Sequence, residues 1–296
     1  MEVCFDNREA DVARFIRRHL GGVAPAIAEL VEAVRTIPVP GEASSFLDVG
    51  HEHFAAAFKA RKLPDRAKVL VGWGGREVAL IVLPTPDVGE PTRAFLQRMR
   101  SSAPRFTSYP PWGDIFGFSA DDQPQVRERR WESLLFSDEI FDILTFELLD
   151  PSGRFYERRL LLPDVIAKRN GQEGRQALGE RQLLTDVSEV LATGLAFAAA
   201  MNVADEAHTL NWAFRWSGLK GRLVDEWFRG GARLFAVDDV SPVCTTSFAA
   251  DTPPSALGPV ITKLVAPLFA MFSGYEPPPI QIGDTLAEVI ERRSKF

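Results

Sequence analysis

FDILTFELLDPSGRFYERRLLL, residues 141–162, holds two strand-like runs around a turn. The run FDILTFELL (141–149) carries Ile143 and Thr145 with two phenylalanines, and RFYERRLLL (154–162) carries Phe155 and Tyr156, residues that suit a pleated, half-buried surface. Between them, Asp150-Pro151-Ser152-Gly153 places proline where its fixed φ starts a turn and glycine where φ turns positive. The segment predicts a β-hairpin and hence an antiparallel sheet. Upstream, KVLVGW (68–73) and REVALIVLP (76–84) flank Gly74-Gly75 and predict a second hairpin. Downstream, strands are expected at 209–216, 232–238 and 243–249.

Helical periodicity surrounds these strands. Apolar residues at three- and four-residue spacing predict a helix pair within 12–34, a helix over 46–63 and one from Pro91 to about Arg100. The longest helix is expected at about 176–201, followed by helices at about 255–273 and 284–293. The fold class that follows is α+β: mainly antiparallel sheet from β-hairpins, packed against long helices. The polar stretch KRNGQEGR (168–175) is the candidate boundary between regions 1–167 and 168–296, with one continuous domain as the alternative.

The 296 residues are 46% hydrophobic and 25% charged, a globular composition. Net charge is −6, and a nucleic-acid binder ordinarily shows a basic footprint. Cys4 and Cys244 stand far apart, which excludes a disulfide framework and fits a reducing compartment. The N-terminus lacks the apolar core of a secretory signal, so a cytoplasmic location is expected. ALGPVITKLVAPLFAMFSGY (256–275) has the length of a membrane span. Lys263, Pro259 and Pro267 interrupt it, and its apolar residues fall on one face, so a core-packed helix and no membrane contact are expected.

Fragments of catalytic chemistry occur without a complete motif. His51-Glu52-His53 could hold a metal if extended, but on a helix residues i and i+2 diverge. Asp142 or Asp150 with Glu157-Arg158-Arg159 resembles a metal-dependent nuclease arrangement, with Arg159 where lysine is needed. Gly72-Trp73-Gly74-Gly75 joins strand to strand in this reading and offers no helix N-terminus to a phosphate. Asp238-Asp239 before Ser241-Pro242 is turn chemistry. No catalytic residue, metal site or cofactor is assigned, and an enzyme is the less favoured reading.

Binding surfaces are better represented. AFRWSGLKGRLVDEW (213–227), with Trp212 just before it, interleaves Arg215, Lys220 and Arg222 with Trp212, Trp216 and Trp227 around two glycines, the chemistry of phosphate or stacked-base contacts. The long aromatic and proline segment 103–124 contributes Tyr109 and Trp112 as candidate contact residues. Arg127-Glu128-Arg129-Arg130 with Arg158-Arg159 is a candidate basic patch, which Glu128, Glu132 and Glu157 dilute into a salt-bridged face.

Four phrases in order carry a family resemblance: RFTSYPPWGDIFGF (105–118), FDILTFELLDPSGRFYERRLLLPD (141–164), RWSGLKGR (215–222) and ALGPVITKLVAPLFAMFSGYE (256–276). About residues 95–276 thereby resemble the C-terminal region of bacterial proteins with an AlbA-type, Schlafen-related DNA-binding domain. The DNA-binding part of that family has no counterpart in residues 1–94. The resemblance implies association with nucleic-acid or defence-type systems and carries over no catalytic residue. The expected function is a non-catalytic interaction or regulatory subunit of a bacterial intracellular system, bound to a protein partner or to itself. The alternatives are a nucleic-acid binder using 213–227 and a metal-dependent nuclease or hydrolase.

Overall fold

The computed structural model describes residues 41–86, 89–104, 110–112, 122–139, 141–167, 171, 177–225, 233–235 and 241–293. The expected helix pair over 12–34 lies outside these residues, as do Tyr109, Trp227 and Asp238-Asp239. Seven strands build the main sheet: β1 (Gly75–Leu83), β2 (Gln125–Arg127), β3 (Arg130–Ser137), β4 (Ile143–Asp150), β5 (Arg154–Arg159), β7 (Thr209–Ser217) and β10 (Val243–Ala249). Their order is β10-β7-β1-β5-β4-β3-β2, with antiparallel neighbours throughout. Three short strands, β6 (Ala177–Gly179), β8 (Leu223–Asp225) and β9 (Arg233–Phe235), make a second sheet in the order β6-β8-β9. The fold is α+β, as the hairpin pattern implies. Strands β1 to β5 precede the 168–175 linker while β7 and β10 follow it, so Pro40–Phe296 is one compact unit.

Helices cover both faces of the sheet. Helices α1 (Gly41–Ala60) and α2 (Asp65–Gly72) close the face that carries Ala79, Ile81, Phe146, Leu148 and Tyr156. The other face carries Val78, Leu80, Val82, Phe155, Trp212 and Phe214. It packs into one core with α3 (Arg93–Ser102), α5 (Glu180–Ala200), α6 (Gly258–Ala270) and α7 (Pro279–Arg293). A short helix, α4 (Leu162–Ala167), follows β5. Because both faces of β1 are buried, its sequence is a continuous apolar run from Val78 to Val82 instead of an alternating one. The core helix α5 is long and apolar enough to cross a membrane by composition, but 72% of that stretch is buried in the protein. The 256–275 segment forms a helix of only 13 residues, and its Ile261, Leu264, Val265, Leu268 and Phe269 stripe is core.

The expected hairpin over 68–84 is not formed: Asp65–Gly72 is helix, and only its second arm is a strand. Pro64 precedes the first turn, Asp65 suits a helix N-terminus, and Ala67 and Leu70 at i and i+3 supply the buried face. Burial of that face outweighs the β-branched character of Val69 and Val71. Gly74 and Gly75 have φ of +83° and +152° and are needed for close packing: a Cβ at either would strike the main chain of Ser217 or Arg159. A hairpin at 125–137 formed by β2 and β3 had no sequence signal. Its turn residues, Glu128 and Arg129, hold φ of 46° and 65°, positions where glycine or asparagine ordinarily mark the turn.

Two further glycines set how closely the helical layers approach. Gly50 of α1 lies against the ring of Tyr156, and Gly194 of α5 against the ring of Trp212. A methyl group at either position would overlap an aromatic ring that the sheet holds in place. Gly50→Ala and Gly194→Ala should each cost about 1–3 kcal/mol in urea denaturation, the range for overpacking a filled core. Gly258→Ala, with open space around its Cβ, should be neutral by the same measurement.

Candidate functional site

The 213–222 segment turns Trp216 and Arg222 inward and leaves Lys220 exposed. Trp216 is fully buried, stacked on Phe214 at 5.5 Å, which in turn stacks on Trp212 at 6.0 Å. Arg215 lies on the opposite face, where Nε donates to Glu77 at 2.6 Å and Nη1 to Asp48 at 2.8 Å. Arg222 is fully buried, and its five N–H groups are all accounted for. Nε donates to the Gly218 carbonyl at 2.8 Å, Nη1 to Asp164 at 2.9 Å and the Ala177 carbonyl at 3.2 Å, and Nη2 to Asp164 at 2.6 Å and the Trp73 carbonyl at 3.3 Å. Lys220 alone of the three nominated cations is exposed and without an ion pair among the described residues. The segment is structural in its aromatics and in two of its cations.

Trp112, the described member of the aromatic loop pair, is also buried. Its φ is 48°, a costly conformation for a bulky residue, and two buried hydrogen bonds hold it there. Its main-chain N–H donates to Glu157 Oε1 at 2.9 Å and its indole to the Tyr156 carbonyl at 3.0 Å. Glu157 is therefore committed: besides Trp112 it pairs with Arg76, and Asp186 of α5 pairs with both Arg76 and Arg159. Asp142 is paired with Arg66, and Asp150 receives the N–H and hydroxyl of Ser152 in the hairpin turn. The carboxylates of the nuclease-like arrangement thus serve three separate structural roles. Among the described residues no group of three ligand-type side chains is placed to hold a metal.

A polar network that the sequence did not announce lies under α1. Glu77 of β1 receives Tyr156 Oη at 2.5 Å, Arg215 Nε at 2.6 Å and His51 Nδ1 at 2.7 Å. The second histidine of the pair, His53, turns to Glu132 at 3.0 Å, so the two rings serve different glutamates. Burial alone would raise the Glu77 carboxyl, but the hydrogen bonds from His51, Arg215 and Tyr156 outweigh it and hold it at about 2. Burial, with the adjacent Glu77 charge, pushes Tyr156 well above the usual phenol range. Neither group is poised to exchange a proton near neutral pH, the requirement for general acid–base work. Beside them Arg158 is buried over the Phe54 ring at 4.3 Å, and burial lowers its pKa.

Unneutralised charge gathers instead at the β2 end of the sheet. On the α1 face a cavity of about 300 Å³ is lined by Arg61, Lys62, Gln125, Arg127 and Ser133. On the α3 face a cavity of about 510 Å³ is lined by Arg93, Gln97, Arg100 and Trp131, and Gln123 borders both. Arg61 is paired with Asp122 and Arg100 with Glu147. Lys62, Arg93 and Arg127 are exposed and carry no ion pair among the described residues. The one carboxylate in either lining, Glu132, is buried and bonded to His53. The linings of these two cavities are thus cationic in a chain of net charge −6, while Arg127 also borders a third cavity whose lining carries Glu52, Glu128 and Glu132.

Two outcomes test this division of labour. Arg222→Ala strands Asp164 without its counter-charge and should cost about 3–5 kcal/mol, whereas Lys220→Ala should stay within about 0.5 kcal/mol in the same urea titration. A depressed carboxylate stabilises the fold above its unfolded pKa and loses that contribution as pH falls through the folded value. Glu77, at about 2 against an ordinary 4.5, should therefore contribute up to about 3 kcal/mol that fades between those two pH values. Glu77→Gln should flatten that limb of stability against pH.

Compared with known proteins, the chain matches no family model, no curated sequence and no solved structure.

Proposed function

We propose that the chain is a non-catalytic interaction subunit of a bacterial intracellular system, and that it holds a protein partner by an acidic surface. The observation that carries this reading is the pair of cavities around β2, where three cations without ion pairs face one committed carboxylate. The groups that chemistry would need, Glu77, Tyr156, Glu157 and Asp142, are bound into the fold. Charge number also separates a protein from a nucleic acid. Three phosphate contacts give a salt slope of only about −3, well short of the 6–10 contacts that sustain strong duplex binding. Free cations flanked by the carboxamides of Gln123 and Gln125 and the ring of Trp131 suit a few fixed carboxylates with apolar residues between them. The resemblance of residues 95–276 supports a setting among nucleic-acid or defence-type assemblies.

The test is affinity purification of the full chain from its host with and without nuclease, alongside the triple variant Lys62→Glu, Arg93→Glu, Arg127→Glu. A stoichiometric protein that survives nuclease and falls more than tenfold with the triple variant is the expected result. Recovery of nucleic acid alone would transfer the site to the nucleic-acid reading. A partner retained by the triple variant would remove the site from the β2 end.

A further inference from the structure

The other end of the sheet differs in kind. Two hydrogen bonds bracket the pairing of β10 with β7: Trp216 N–H to the Pro242 carbonyl and Ala250 N–H to the His208 carbonyl. Main-chain groups alternate in direction along an antiparallel strand, so even-numbered residues of β10 bond to β7. Val243, Thr245, Ser247 and Ala249 then direct theirs outward. Among the described residues β10 has no strand on that side, and only the Ala249 carbonyl is engaged there, by Thr252 N–H. Val243, Thr245 and Ser247 are exposed. Edge strands are ordinarily guarded by charge, proline or brevity. The opposite edge is guarded so: β2 has three residues and ends in Arg127 beside the Glu128-Arg129 turn. VCTTSFA, the seven residues of β10, contains no charge and no proline.

We infer that two copies of the chain pair antiparallel along β10 about a two-fold axis through Thr246, joining their sheets into one. The occupant follows from the sequence of the edge, which is complementary to itself in this register. Thr245 opposes Ser247 of the second copy, Cys244 opposes Phe248, and Val243 opposes Ala249, so hydroxyl meets hydroxyl and apolar meets apolar with no charge to bury. The ladder phase agrees: Thr245 and Ser247 are both outward-facing and exchange both of their main-chain hydrogen bonds. A shift of one residue would set outward groups against inward ones and lose the ladder. The closed two-fold contact uses the same patch on both copies and leaves no free edge at this end. It lies at the far end of the sheet from β2 and does not depend on the function proposed above.

The axis gives a sharp test. In a Cys4→Ser, Cys244→Ala background, Thr246→Cys places two thiols opposite each other at about 4.5 Å between Cα atoms, within the span a disulfide bridges. Mild oxidation of the full chain should give a covalent dimer of twice the 32.8 kDa chain mass. Thr245→Cys or Ser247→Cys alone should not cross-link, and their mixture should. Thr245→Pro removes only an outward N–H, and Ser247→Lys places like charges across the axis. Each should halve the mass seen by light scattering while the circular dichroism spectrum stays unchanged. A wild-type chain that remains at 32.8 kDa overturns the inference. So does a dimer that resists both substitutions or fails to cross-link at position 246.

Discussion

The guanidinium of Arg222 is the point at which four separate pieces of backbone are held to one another. It reaches the end of α2 at Trp73, α4 at Asp164, β6 at Ala177 and the end of β7 at Gly218. A buried cation is tolerable only when its counter-ion and every donor are satisfied, because the desolvation cost is otherwise uncompensated. Here the bidentate Asp164 and three carbonyls meet that condition. The small sheet, the helix after β5 and the turn into β1 are therefore fixed by one side chain, and the main sheet inherits their placement. Gly218, at φ +69°, lets the β7 chain turn toward this centre, where a Cβ would strike the Trp73 carbonyl.

The three central strands are polar at the same end. Arg76, Glu77, Glu157, Arg158, Arg159 and Arg215 occupy neighbouring register positions on β1, β5 and β7, while Leu80, Ile81 and Phe155 fill the other end. Alternation sends Arg76, Glu157 and Arg159 toward α5 and Glu77, Arg158 and Arg215 toward α1. Two buried ionic networks thus lie back to back across one sheet, each tying a different helix to it. Such networks add little net stability over apolar packing, but they penalise any arrangement in which a partner is missing.

Features of the fold were legible where the signal was local. The β4–β5 hairpin announces itself through Asp150-Pro-Ser-Gly153, and α5 through a stripe that runs from Leu183 to Phe197. The β2–β3 hairpin was not, because Glu128 and Arg129 take left-handed φ without the residues that normally mark it. Residues 68–72 misled because Lys-Val-Leu-Val suits a strand by composition, and only burial of Ala67 and Leu70 decides for the helix. Site residues fared worse for the same reason at longer range. Arg222 looks solvated in GLKGR until Asp164, far away in sequence, is brought to it. The cations at the β2 end come from the segment after α1, from α3 and from β2, so no window of sequence contains them together.

The position of β1 also bears on how the molecule is made. Both of its neighbours follow it in the chain, β5 at Arg154 and β7 at Thr209. During synthesis VALIVL therefore leaves the ribosome long before either partner strand exists, with both edges, and the face turned away from α1 and α2, open to water. Non-local pairing of this kind folds slowly and exposes sticky strand meanwhile. The same arrangement makes a fragment that stops before β7 a poor object for expression, since it would display an apolar strand edge along the whole of β1.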